Sequence, residues 1–227
     1  MTLKSSPITG WQGLNRLYLV AKLSLRARRR RWINILNPQL SIILASKSPR
    51  RRQLLAEAGY KFRVVVPQIN EPDFPAEGLS PREYAKRLAL AKAKSVAGKF
   101  SDSLVIGADT IVDFNSRIIG KAVNEKQARQ IIRQLFNTAH KVITAVAIVR
   151  LSDDTELVES DTTIVYPKKI SDKQISEYIR SGRWRNKAGA YAIQEKGDEF
   201  IERIEGSLTN VMGLPMELLQ RVLKAFK

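Results

Sequence analysis

An apolar run, Ile-Ile-Leu-Ala at 42–45, passes without a linker into Ser-Lys-Ser-Pro-Arg-Arg-Arg at 46–52 and then into Gln-Leu-Leu. Such a run suits a buried strand. Ser48 suits a helix N-cap, and Pro49 suits the first helical turn, where a missing N–H costs nothing. The chain is therefore committed here to a strand, a tight turn and a helix. The same turn gathers backbone N–H groups, the hydroxyls of Ser46 and Ser48, and the guanidiniums of Arg50 and Arg51. Those are the groups that hold a phosphate at a helix N-terminus. An ordinary strand–helix turn with solvated arginines would use the same residues, so taken alone the turn leaves both readings open.

From Leu40 onward strand and helix signals alternate. Strands are expected at about 41–46, 61–66, 103–113, 140–150, 156–167 and 199–205, and helices at about 49–58, 81–98, 125–136 and 172–181. Three prolines make 67–79 a loop. Ser80 with Glu83 forms a capping box. Asn124 caps a helix that carries Ala128, Ile131, Ile132, Leu135 and Phe136 at helical spacing. Residues 114–116 and the Ser-Asp-Asp at 152–154 read as turns. Gly206, Ser207 and Asn210 open a last helical region that resumes after Pro215. This alternation predicts an α/β domain over 41–227 with a mixed sheet.

Residues 1–40 differ from the rest. Residues 1–56 contain no acid and twelve Lys or Arg, which leaves 27 basic and 22 acidic groups, or +5, for the other 171 residues. Most of the net charge of +17 is thus N-terminal. The segment fits an arginine-rich targeting peptide, a nucleic-acid or membrane-surface arm, or an incidental extension. The last is preferred, as a disordered or dispensable extension, because the domain pattern begins cleanly near Leu40. With no cysteine and one histidine, thiolate chemistry and multi-His metal sites are excluded. A bound metal would need oxygen ligands, which points to Mg²⁺ or Mn²⁺. No window approaches the ~18 apolar residues of a membrane span.

Asp109 is the sharpest chemical candidate. It lies inside Val-Ile-Gly-Ala-Asp-Thr-Ile-Val, where an acid is out of place unless it is paired or functional. Gly107 and Ala108 leave room for a ligand, and Thr110 would add a hydroxyl to the same site. Glu71, in the loop, offers a second carboxylate for a metal, although loop acids are usually solvated. Lys121 after Gly120 is placed to neutralise phosphate or to sit on the surface. Arg87 and Lys92 on one helix either enter a cleft or snorkel. Lys187 and Gln194 bracket a Gly/Ala-rich stretch, and the Gln194 amide is able to read a base edge. His140 reads as structural.

Together these segments resemble the Maf family of nucleotide pyrophosphatases. The matching stretches are Leu-Ala-Ser-Lys-Ser-Pro-Arg-Arg at 44–51, Gly-Ala-Asp-Thr-Ile-Val at 107–112 and Gly-Lys at 120–121. His-Lys-Val-Ile-Thr-Ala-Val at 140–146, Lys-Ala-Gly-Ala-Tyr-Ala-Ile-Gln at 187–194 and Gly-Ser-Leu-Thr-Asn-Val-Met-Gly-Leu-Pro-Met at 206–216 complete the set. Each is weak alone, but six in family order are specific. The resemblance implies a fold like that of the inosine triphosphate pyrophosphatases, with a long mixed sheet and flanking helices forming a two-lobed cleft. It implies hydrolysis of a nucleoside triphosphate to the monophosphate and pyrophosphate with Mg²⁺ or Mn²⁺. Asp109 would be the proton acceptor; Arg50, Thr110 and Gln194 would select substrate; Ser46, Arg51, Glu71, Lys92 and Lys121 would surround the phosphates and metal.

The motifs look most like the branch acting on dTTP and UTP. Asn186 stands where that branch usually has Asp, and Ala192 and Glu195 where glycines are usual. The resemblance further implies a cytoplasmic homodimer with no stable nucleic-acid partner and no membrane association. The competing expectation is a nucleic-acid-binding or cell-division regulatory protein acting through the basic arm. A P-loop kinase is not supported, because the chain has no Gly-x4-Gly-Lys-[Ser/Thr] loop.

Overall fold

The computed structural model describes residues 41–191 and 200–226. Its elements run β1 (Ile42–Ala45), α1 (Pro49–Glu57), β2 (Arg63–Val65), α2 (Pro81–Ala97), β3 (Leu104–Phe114), β4 (Arg117–Ile119), α3 (Glu125–Leu135), β5 (His140–Arg150), β6 (Thr155–Pro167), α4 (Asp172–Arg180), β7 (Ile201–Glu205), α5 (Leu208–Met212) and α6 (Met216–Leu223). The seven strands form one mixed sheet in the order β2-β1-β3-β5-β6-β7, with β4 folded back on the far end of β3. β1 is parallel to both β2 and β3, and the other pairs are antiparallel. The expected α/β class and mixed sheet are therefore present.

Local chemistry explains the element starts. Ser48, Ser80, Asn124 and Ser171 each accept a backbone N–H with the side chain at a helix N-terminus, satisfying a donor the helix itself cannot. Two features fell outside the sequence expectation: the three-residue β4, too short for a periodic signal, and a single 3₁₀ turn at Glu71–Asp73 inside the expected loop. No helix among the described residues is long and apolar enough to cross a membrane.

The apolar cores follow strand parity. On one face of the sheet, Ile43, Ala45, Val105 and Ile111 pack against Ala85, Ala89 and Ala93 of α2. On the other, Leu44, Leu104, Ile106 and Ala108 meet Leu54 and Leu55 of α1 and Leu214, Leu219 and Leu223 of the C-terminal region. Farther along the strands, Val112 and Val142 pack with Ile132, Leu135 and Ile179 of α3 and α4. Small residues let α2 lie directly on β3. A Cβ built on Gly107 would stand 2.3 Å from the Ala89 carbonyl oxygen and 2.7 Å from the Ala93 amide nitrogen.

Unequal strand lengths open one edge of β3. β1 ends at Ala45, opposite Gly107, and β4 covers β3 only from Val112 onward. Between them, among the described residues, the β3 edge at Ala108–Ile111 has no paired strand, and the Ser46–Arg52 turn rises beside it.

Candidate active site

The turn after β1 is built by its own hydroxyls. The Ser48 N–H donates to Ser46 Oγ at 3.1 Å, and Ser48 Oγ accepts from the Arg51 N–H at the start of α1. Ser46 is buried, while Arg50 and Arg51, in the first turn of the helix, are partly exposed.

Asp109 sits in mid-strand and is 6 % exposed. Its odd-numbered position turns the side chain toward α2. There Lys92 Nζ donates to Asp109 Oδ1 at 2.7 Å and pairs with Glu71 Oε1 at 2.8 Å. Lys121 Nζ donates to the other oxygen of Glu71. The result is a row of alternating charge, Asp109–Lys92–Glu71–Lys121, running from the buried strand to the more exposed Lys121. Lys92 and Arg87 share a helix but part company: the Lys92 ammonium is buried in the row, and Arg87 is exposed.

The two carboxylates are tuned in opposite directions. Burial pushes the Asp109 carboxyl above its ordinary value, and the nearby charges of Lys92 and Arg51 do not cancel that effect. For Glu71, burial also acts upward, but hydrogen bonds and charge from Lys121 and Lys92 outweigh it and hold the carboxyl down at about 2. The ordinary value is 4.5, so Glu71 contributes stability in full above pH 4.5, and that stability is lost as pH falls toward 2. Asp109 has the opposite sign: its raised value lessens stability as pH rises above 3.8. The urea midpoint of the native chain should therefore drop more steeply from pH 4.5 to 2 than that of Glu71→Gln. Parallel pH profiles for the two proteins would remove the assignment.

Lys187 follows the left-handed Asn186 and donates to the Arg183 carbonyl. Its ammonium is lowered by burial first and then by the charges of Arg50 and Arg183, so Arg50 and Lys187 lie within electrostatic reach of each other. The Lys187–Tyr191 stretch is tied to the Lys121 region by a Lys121–Ala188 bridge and by the Gly189 N–H donating to Gly120 O. His140 is buried, contacting Thr138 O through Nδ1 and the Tyr191 hydroxyl through Nε2, which fits the expected structural role. Gln194 lies outside the described residues.

Two expectations are corrected. Thr110 does not join the Asp109 carboxylate. Neighbouring strand residues face opposite sides, and the Thr110 hydroxyl meets Arg51 and Thr144 on the other face. Nor is the Arg51 guanidinium aimed outward from the turn. It donates to Ala108 O at 2.7 Å, Gly213 O at 2.7 Å and Thr110 Oγ1 at 3.0 Å. Sequence reasoning gave no site role to Thr144 or Asn210, both wholly buried. A clue was present for Thr144, a lone hydroxyl within Val-Ile-Thr-Ala-Val.

Among the described residues no group of three or more Asp, Glu, His or Cys converges. Glu71 and Asp109 alone would offer a cation two carboxylates. That pair suits Mg²⁺, which commonly takes one or two carboxylates and fills its shell with substrate phosphates and water. The convergence of both carboxylates on the Lys92 ammonium shows that the spot accommodates positive charge.

The family model described as "Maf-like protein" matches residues 41–226. A protein from Pelotomaculum thermopropionicum named dTTP/UTP pyrophosphatase is 42 % identical over 185 residues, covering 82 % of this chain and 96 % of that protein. One of the same name from Elusimicrobium minutum is 43 % identical over 187 residues, covering 82 % and 99 %. Among solved structures, the Ham1 protein of Staphylococcus aureus aligns with a TM-score of 0.47 and 16 % identity, covering 82 % of this chain and all of that one.

Proposed function

The chain belongs to the Maf family, and from that premise we propose that it hydrolyses dTTP and UTP to the nucleoside monophosphate and pyrophosphate. The observation that carries the reading is the buried Asp109 carboxylate, held at 2.7 Å by Lys92, beside the arginine-bearing turn that caps α1. Asp109 takes a proton from water as the water oxygen attacks the α-phosphorus. The bond from that phosphorus to the bridging oxygen breaks, and pyrophosphate leaves. Burial raises the basicity of Asp109, which suits a general base. Lys92, itself held between Asp109 and Glu71, fixes the Asp109 carboxylate, so it need not reorganise during reaction.

Lys121, Lys187 and Arg50 supply positive charge, and Ser46 and Ser48 supply hydroxyls, for the phosphate oxygens. Arg50, with Gln194, also bears on base selection. Glu71 and Asp109 would hold a Mg²⁺ or Mn²⁺ ion, which when bound neutralises phosphate charge. Residues 41–227 carry the activity, and residues 1–40 are dispensable for it. The reading carries with it a cytoplasmic homodimer with no stable nucleic-acid partner.

A panel of nucleoside triphosphates assayed for pyrophosphate release with Mg²⁺ or Mn²⁺ tests this, using the full chain and one starting at residue 41. Turnover of dTTP and UTP above the purine nucleotides by both forms is the expected result. Absence of pyrophosphate release, or salt-sensitive nucleic-acid binding lost on truncation in its place, would refute it.

A further inference from the structure

We propose that Arg51 is a positioning residue, gripping β3 on both sides of Asp109 and so fixing where that carboxylate stands. The inference rests on the reading of Asp109 as the general base. Arg51 Nη1 donates to the carbonyl of Ala108, the residue before Asp109, and Nη2 donates to the hydroxyl of Thr110, the residue after it. The grip falls where it is needed. Among the described residues, Ala108–Ile111 is the part of the β3 edge left without a strand partner once β1 has ended and before β4 begins. A strand carbonyl in that position would otherwise lack its ladder donor.

The other side of the clamp is rigid. Arg51 Nε donates to Gly213 O at 2.7 Å, and Gly213 adopts φ 108°, a left-handed conformation suited to glycine. Thr110 Oγ1 also meets Thr144 Oγ1 at 3.0 Å, and the Thr144 hydroxyl donates to Asn210 O at 2.7 Å. The Asn210 side chain accepts the Thr144 N–H and donates to Val142 O and Thr163 Oγ1, so α5 is pinned to the sheet. One planar fork thus joins α1, β3 and the turn after α5. A lysine ammonium, a single point charge, cannot bridge three acceptors in that plane.

The test compares the full native chain with Arg51→Lys in three measurements: steady-state dTTP hydrolysis, affinity for the non-hydrolysable analogue α,β-imido-dUTP, and amide hydrogen exchange over Ala108–Ile111. Positioning predicts that kcat falls on the order of 10²-fold, as for a reacting group displaced by about 1 Å, with KM within about threefold. Analogue affinity should hold, and exchange should speed by at least about tenfold as the clamp opens. Weakened analogue binding with unchanged exchange would make Arg51 a phosphate contact and overturn the proposal. If the native chain itself releases no pyrophosphate, the reading of Asp109 fails, while exchange and analogue affinity still decide the role of Arg51. Should Arg51→Lys not fold, Thr144→Val takes its place. Thr144 is wholly buried and cannot touch substrate, so a loss of roughly tenfold in kcat at constant KM supports the clamp, and an unchanged kcat overturns it.

Discussion

Asp109→Asn is expected to lower kcat for pyrophosphate release on the order of 10²–10⁴-fold, the usual cost of losing a general base. The amide has nearly the shape of the carboxylate and still accepts a hydrogen bond from Lys92 Nζ, now 2.7 Å from Asp109 Oδ1. It cannot take a proton from water. Folding should survive the change, because burial already disfavours the charged form of Asp109, and a neutral side chain escapes that cost. Steady-state kinetics on dTTP, with thermal unfolding followed by circular dichroism, separates the two effects. The melting curve should hold while kcat collapses. A raised KM with native kcat would make Asp109 a binding group rather than the base. In the native chain the acid limb of kcat/KM should lie above the ordinary aspartate value of 3.8, the direction in which burial shifts Asp109.

Gly107→Ala should damage stability and activity together. The added methyl carbon would meet backbone atoms of α2, at 2.3 Å from Ala89 O and 2.7 Å from Ala93 N, and backbone cannot rotate out of the way as a side chain can. The helix must lift from β3. Overpacking of this kind typically costs about 1–3 kcal/mol, and contact with a helix backbone places the expectation at the upper end. Lys92 precedes Ala93 on the displaced helix, so its ammonium withdraws from Asp109. A displacement of about 1 Å at a reacting group can cost roughly 10²-fold in rate. The control is Gly98→Ala, where nothing stands within 4 Å of the new carbon and φ is −58°. That substitution should leave both urea midpoint and kcat close to native. Equal behaviour of the two variants would show that the helix has slack, and that the Lys92–Asp109 geometry does not depend on Gly107.

The two substitutions probe one arrangement from opposite sides. Asp109 is the proposed base, and the glycine beneath α2 sets the depth at which Lys92 and, through it, Glu71 reach that carboxylate. Removing the carboxylate should spare the melting curve, whereas crowding the glycine should not.

Much of this was legible from residue order, because the signals are local. The caps at Ser48, Ser80, Asn124 and Ser171 act on N–H groups three residues away, and strand or helix periodicity is read within a dozen residues. Asp109 stood out for a similar reason: an acid amid apolar strand residues must be paired or used. Which charges would meet was not legible. Glu71 is 50 residues from Lys121, and Arg51 is 57 from Ala108 and 162 from Gly213. Such encounters depend on the sheet order, on β1 stopping at Ala45 while β3 runs on, and on which face each strand residue takes. Thr110 shows the point: adjacent to Asp109 in the chain, it faces the other side of the sheet. Local propensity determined the elements and marked the buried acid. Only the packed sheet decided that Arg51 would brace β3 and that Lys92 would lie between two carboxylates, because long-range contacts are settled by the burial and strand pairing of the whole domain.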